Sequence, residues 1–467
     1  MKNKLLCALV VVMMVVAVFG ASPVKAAAYG TSFTTSITYQ NVGTDTATVS
    51  LEFYAEANGT PIVISRPDLE PMAGTSIYVG ALGQLGAGFK GSAVLVSNQP
   101  LVATLVQSAP VTSPIKIRPL SNGFTGGSDY VLVPTALRNT FGSNTIISVQ
   151  NVDSNSVDLQ LKFVPLSGSN IIVNVENLPA FATKYFDIAQ MAEFGDSFNG
   201  SVQIFATKSG SSDPGSIVAS AMELNIEGDN ASAYEGTNEF ATTIYMPSAM
   251  CLYQNQQTSS YAVQNTTDHD ITFSVSFRPS GISAGPFTLA PGAKKSVNGC
   301  DGNTPGFIGS AVIEASGDIV AMGKVYGGGL YTAFLGFTNG SSKISLPYVR
   351  WTNSHWYDSV RQRAYIAIQN VGADLPAGAV TVNYYDKDGN LVGSDSLGAI
   401  ASGAKVNSNP SVIGPDGTEF GYYDDGTYGG SAVVEGPEGS ELAVVVRIST
   451  YSNSLIVSED YTGIPIQ

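Results

Sequence analysis

The chain has 467 residues, of which 44% are hydrophobic and 13% charged, with 50 Gly, only two His and a formal net charge of −15. Two histidines exclude multi-His metal sites and confine any His-based catalysis to His269 or His355. The acidic balance disfavours nucleic acid and anionic membrane surfaces as partners, and at roughly 100–200 residues per domain the length predicts about three or four domains.

Lys2 and Lys4 precede an uncharged apolar run from Leu5 to Phe19, followed by small residues and the Ala26-Ala27-Ala28 cluster. That order predicts a signal peptide over residues 1–26, cleaved after Ala26 or Ala28, and export to the extracellular space or cell surface. The apolar run falls short of the roughly 20 residues of a membrane span. No later stretch is long enough to span a bilayer, so the mature chain is expected to have no membrane span. Cleavage removes Lys2, Lys4 and Lys25, leaving 19 basic against 37 acidic residues and a net charge of −18. It also leaves two cysteines, Cys251 and Cys300. One disulfide is expected in an oxidising compartment, with two separate thiols as the alternative.

Two landmarks recur along the rest of the chain. Gln-Asn ends a short apolar strand at Gln40-Asn41, Gln150-Asn151, Gln264-Asn265 and Gln369-Asn370, spaced by 110, 114 and 105 residues. A Gly-Ser pair opens another strand at Gly91-Ser92, Gly200-Ser201, Gly309-Ser310 and Gly430-Ser431, spaced by 109, 109 and 121. Two landmarks on one period mark a repeat, and a period near 110 suits an independent β-sandwich. The predicted units are repeat 1 (27–127), repeat 2 (128–241), repeat 3 (242–341) and repeat 4 (342–467).

Within each unit the elements follow one order. A strand-like lead segment (Tyr130 to Pro134, Ile244 to Pro247, Ile344 to Pro347) precedes the Gln-Asn strand. The next strand alternates with period 2: Val49, Leu51 and Phe53; Val157, Leu159, Leu161 and Phe163; Phe273, Val275 and Phe277; Val380, Val382 and Tyr384. One face of each is therefore buried. Hairpin turns follow at Asn58-Gly59, Ser167-Gly168, Ser280-Gly281 and Asp388-Gly389-Asn390. A bend such as Pro291-Gly292-Ala293, the Gly-Ser strand and further apolar strands complete about seven or eight strands. No stretch carries sustained helical periodicity. The expected class is all-β: four tandem immunoglobulin- or fibronectin-like antiparallel β-sandwich domains behind a signal peptide.

Gln40 to Gly43, Gln369 to Gly372, Pro291 to Ala293 and the four Gly-Ser landmarks together resemble tandem-repeat β-sandwich proteins secreted or displayed on the surface of bacteria. The resemblance covers nearly the whole mature chain and implies an extracellular module array. That family has no defined activity to carry over.

Repeat 1 departs from the order. Counting back 16 or 17 residues from Gln40, as from Gln150 to Pro134, lands in the signal peptide. The mature first unit is then expected to lack its lead strand and expose a sheet edge, which either accepts a strand from another subunit or is covered by residues 28–36 or a local loop.

Catalytic residues are expected to be none. Gly281-Ile282-Ser283-Ala284-Gly285 matches a nucleophile-elbow pattern, but it sits at a hairpin turn with Pro286 after it and no helix. Metal candidates are Asp386 and Asp388, with alternate-residue spacing, and Asp424 and Asp425 in a loop insertion of repeat 4. No cofactor is expected; calcium is the alternative these residues would take, while a hairpin turn explains the first pair and a solvated loop the second without it. Ligand candidates are Trp351, Trp356, Tyr423 and Tyr428. The bland account of Trp351 and Trp356 is packing at the junction of repeats 3 and 4.

The expected function is a non-enzymatic extracellular or cell-surface structural or adhesive protein, an extended string of rigid modules. Its partners would be cell-surface or cell-wall components, including further copies of itself. The alternatives are a carbohydrate- or calcium-binding protein using repeat 4 loops, and a secreted hydrolase accessory protein.

Overall fold

The computed structural model describes residues 32–466 except 111, 226, 255, 354–359, 415–418, 424–426 and 453–454. The signal-peptide reading falls outside the described residues. Strands account for 60% and helix for 4%, the latter as short 3-10 turns such as Ile188–Gln190. No helix among the described residues is long and apolar enough to cross a membrane.

Repeat 2 displays the full pattern. One sheet runs Ile171–Leu178, Val157–Pro165, Phe198–Lys208, Tyr130–Arg138, and the other runs Thr183–Asp187, Ser143–Asn151, Ile217–Asn225, Asn230–Glu235, with every neighbour antiparallel. The two inner faces meet in one core containing Val133, Ile147, Leu161 and Ile204. The predicted alternation holds here. Val157, Leu159, Leu161 and Phe163 are buried, while Asp158, Gln160 and Lys162 point outward. The same stripe is buried in repeats 1, 3 and 4.

Repeat 3 repeats this order, except that its Gly-Ser strand runs on without a break into the next strand as Phe307–Gly327 and joins the two sheets. Repeat 4 also keeps it, with lead strand Lys343–Leu346 beside Gly430–Glu435 and closing strand Leu455–Thr462 beside Leu442–Ser452. Repeat 1 differs. Its Gly-Ser strand Gly91–Ser97 belongs to a sheet of three strands, with Val49–Ala55 and Pro61–Ser65, and no lead strand is present among the described residues.

The Asn of each Gln-Asn pair has a local task. Asn41, Asn151, Asn265 and Asn370 are all fully buried. Each donates from Nδ2 to a carbonyl three or four residues on, and to another at the next bend (Leu69, Leu178, Leu289 and Ile400 respectively). Each Oδ1 also accepts the N–H two residues on. An apolar residue there would orphan several buried backbone groups, which explains the recurrence. The Gly of the second landmark has a steric task. A Cβ at Gly91, Gly200 or Gly309 would sit 1.9, 2.2 or 1.8 Å from a carbonyl oxygen of the neighbouring strand.

The arrangement of the four units is where sequence and structure part. Periodicity suggests an extended string; the repeats instead close into a ring. Each Gly-Ser landmark faces the Gln-Asn end of the following repeat, and the Gly-Ser landmark of repeat 4 faces repeat 1. Ser92 Oγ donates to Phe181 O, Gln264 Nε2 to Ser201 Oγ, Ser310 Oγ to Gly403 O, and Gln40 Nε2 to Ser431 Oγ at 2.7 Å. At the centre, the closing strands Leu120–Asn122, Asn230–Glu235, Leu330–Leu335 and Leu455–Thr462 touch in cyclic order. Of these Gln contacts, only those of Gln40 with Ser431 and Ser345 require closure, since the other three seams join consecutive repeats.

Candidate functional site

The unusual residues of repeat 4 gather where it meets repeat 1. Asp386 accepts the N–H groups of Asp388 and Asn390, both at 2.9 Å, and Asn390 Nδ2 at 3.1 Å. Its carboxylate thus braces its own hairpin turn, while Asp388 pairs with Lys387 Nζ at 2.9 Å. The turn presses on repeat 1. Lys387 O accepts from Gly74 N at 3.1 Å. Gly389, at φ +86°, lies so near Pro71 O that a Cβ would approach it to 2.2 Å. Tyr423 OH accepts the Lys387 N–H at 3.1 Å, and burial pushes its phenol up to about 12. Tyr428 stacks on Tyr422 with centroids 5.3 Å apart.

Arg350 is the largest side chain buried in this seam. Its guanidinium donates to Val349 O and Gly430 O, reaches Ser76 Oγ of repeat 1 at 3.4 Å and lies over the Tyr348 ring at 4.6 Å. Burial lowers its pKa, against the pull of the surrounding tyrosines. The tryptophan expectation changes as well. Trp351 is half-buried inside repeat 4, edge-on to Tyr365 at 6.2 Å and under Arg363 at 4.5 Å, rather than at the junction with repeat 3. Trp356, His355, Asp424 and Asp425 lie outside the described residues.

The remaining candidates are dispersed. Ser283 starts the strand Ser283–Leu289 of a hairpin, and Ser276 Oγ is its hydroxyl neighbour at 3.1 Å. His269 is an exposed turn residue whose Nδ1 lies 3.0 Å from Asp268 Oδ1. Among the described residues no group of three or more His, Cys, Asp or Glu is placed to hold a metal. Cys251 and Cys300 are disulfide-bonded, which ties the lead strand of repeat 3 to the end of its Lys294–Asn298 strand.

Sequence reasoning did not find the charged hub. Glu223 of repeat 2 is fully buried and paired with Lys324 Nζ of repeat 3 at 2.5 Å, with Tyr331 OH on its other oxygen. Burial alone would raise this carboxyl. The ammonium and both hydrogen bonds outweigh it and hold the pKa below the usual carboxylate value. Arg118 of repeat 1 pairs with Glu459 of repeat 4, and Thr332 of repeat 3 donates to Asp460 of repeat 4 at 2.8 Å. Charged residues on apolar strands were the available signal, but they lie about 100 to 340 residues apart in the chain.

No protein-family model matches this chain, and no curated protein matches it. A solved structure described as "Crystal structure of tetra-tandem repeat in extending region of large adhesion protein" aligns over 94% of this chain and 97% of its own, at 11% identity and a TM-score of 0.10. At that score no common arrangement is demonstrated.

Proposed function

We propose that this chain is a non-enzymatic structural or adhesive protein of the cell surface or extracellular space, exported through a cleaved signal peptide. We assign its four units to the immunoglobulin- or fibronectin-like sandwich class. The observation that carries this reading is the use of the repeated residues. In every unit the Gln-Asn and Gly-Ser landmarks build the loops and the seams between units. The residues that set repeat 4 apart, including Asp386, Asp388 and Tyr423, brace the seam that closes the ring. Contact with repeat 1 accounts for the Asp386–Asn390 turn without a ligand.

Such a protein acts as a compact block that presents loops from four units around one rim, where an extended spacer would present them along a line. Its partners are proposed to be cell-wall or cell-surface components. Fractionation of producing cells, N-terminal sequencing of the mature chain and sedimentation of purified protein with cell-wall preparations test this. A mature N-terminus near residue 27 or 29 and retention on the wall are expected. Freely diffusing protein with hydrolase activity and no wall affinity would overturn it.

A further inference from the structure

In repeats 2, 3 and 4 the lead strand lies in a slot with the same boundaries. On one side is the antiparallel Gly-Ser strand, with Val133 opposite Val202, Met246 opposite Ala311 and Leu346 opposite Ala432. On the other is the segment that leaves the closing strand, where Thr237 pairs with Leu132, Phe337 with Tyr245 and Ile464 with Ser345. The lead strands of repeats 2 and 3 also pack against the Gln-Asn sheet of the following repeat.

Repeat 1 retains these boundaries around an open groove of about 1220 Å³. It is bordered by Gly91–Ser97, by Gly123 and Phe124, and by the repeat 2 strands Ser143–Asn151 and Ile217–Asn225. The side chains register the difference. Ala93 and Leu95 are only partly buried, whereas their counterparts Val202, Ile204, Ala311, Ile313, Ala432 and Val434 are fully buried. Phe124, in the position of Thr237, Phe337 and Ile464, is 41% exposed. Gln150, beside the groove, is half-buried, while Gln40, Gln264 and Gln369 are buried.

We infer that this groove receives an extended segment of another polypeptide, added antiparallel to Gly91–Ser97. Its chemistry is set by what fills the other three slots: Val131-Leu132-Val133-Pro134, Ile244-Tyr245-Met246-Pro247 and Ile344-Ser345-Leu346-Pro347. The segment is uncharged, with aliphatic side chains at two alternate positions and a proline after the second. Main-chain hydrogen bonds to the open edge supply affinity, and alternate side chains in the apolar slot supply selectivity.

The residues ahead of Ser32 are a poor match to that slot. This rests on the proposed cleavage: residue 27 lies 13 residues before Gln40, whereas Val133, Met246 and Leu346 lie 17, 18 and 23 residues before Gln150, Gln264 and Gln369, so the mature segment ahead of Ser32 is too short to reach the slot. A second copy has no spare donor among its described strands either, because its three lead strands are already paired, one of them anchored through Cys251.

The probe is a synthetic peptide of residues 128–138 added to the full chain, with amide exchange and fluorescence anisotropy as readouts. Saturable binding is expected, with exchange at residues 91–97 slowed by about 100-fold. A peptide carrying Val131→Asp and Val133→Asp should bind at least about 100-fold more weakly. As a second measurement, the peptide is joined after Gln467 through a short flexible linker. Ile464 borders the groove, so the fusion should show the same protection and a raised Tm. Three outcomes overturn the inference. Residues 91–97 already protected as well as 202–204 without peptide would assign the groove to the chain itself. Dimers that protect 91–97 would assign it to a second copy. Neither binding nor protection in either format would mean the edge takes no strand.

Discussion

The seam between repeats 2 and 3 and the seam between repeats 4 and 1 use the same two landmark residues in different company. In the first, Gln264 Nε2 reaches Ser201 Oγ at 2.6 Å and Gly292 O at 3.1 Å, while no protein donor reaches its buried Oε1. In the second, Gln40 Nε2 reaches Ser431 Oγ and Met72 O, and its Oε1 accepts from Ser345 Oγ at 2.7 Å. Arg350 and the Asp386–Asn390 turn add to the second seam alone. The two differ in tether. Repeats 2 and 3 are consecutive, whereas Gln40 and Ser431 are 391 residues apart. A short linker raises the effective concentration of its own seam, so a closing contact over a long loop needs more interactions to persist.

The largest expected effect comes from the hub beneath the first seam. Lys324→Ala leaves Glu223 buried without its cation and should cost about 3–5 kcal/mol, measured by urea unfolding. If the loss is under about 1 kcal/mol, the ion pair is not holding repeats 2 and 3 together. Next is Arg350→Ala, which takes the guanidinium donor from the buried Val349 carbonyl, while Gly430 O keeps the Val349 N–H, and should cost about 2–3 kcal/mol. Small-angle scattering should show the ring opening at the 4–1 seam, and an unchanged radius of gyration would give that arginine a role local to repeat 4. Smaller again is the pair Gln40→Ala and Gln264→Ala. The first is expected to cost about 2 kcal/mol and the second about 1, since only Gln40 satisfies both ends of its amide. Equal losses would remove the distinction between the seams.

A further effect is in pH. Lys294 occupies the place across from Gln264 and donates to Gly200 O at 2.8 Å. Desolvation, with a further push from Lys324, lowers its pKa from 10.5 to about 7. Lys405, across from Gln369, is lowered to about 7 likewise, by burial and then by Arg447. Between about 7 and 10.5 the unfolded chain holds more protons at these sites, so stability rises with pH through that window. Repeat 1 has Gly74 at this place, so the closing seam has no lysine of this kind. Thermal scans from pH 7 to 9 should show the rise, and Lys294→Met should flatten part of it. An unchanged slope in that variant would place the titration elsewhere.

Strand alternation and the period were legible because each rests on residues close in sequence. Leu159 and Leu161 share a face by their spacing alone, and Asn151 bonds to a carbonyl four residues away. The ring was not legible, because the partner of Gln40 is a serine 391 residues on and nothing local marks it. The Asp386–Asn390 turn has the same composition whether it faces a ligand or a neighbouring unit, and the contact from Gly74 N to Lys387 O is what sets it against repeat 1. Counting alone predicts a short first unit, since 16 or 17 residues before Gln40 fall at Val24 or Pro23, outside the described residues. Counting could not reveal that the slot keeps its walls.

Closure also determines how the molecule would bear load. Ser32 and Ile464 border the same groove, so the first and nearly the last described residues lie on one side of the ring. Tension applied at those two points acts first across the 4–1 seam, while the three linker-joined seams lie along the path behind it. Intact, the block contributes little length to anything pulled in series with it. Once that seam parts, four units can swing into line with every sandwich still folded, and releasing the tension lets Gln40 find Ser431 again. The ring is in that sense a spring with one catch.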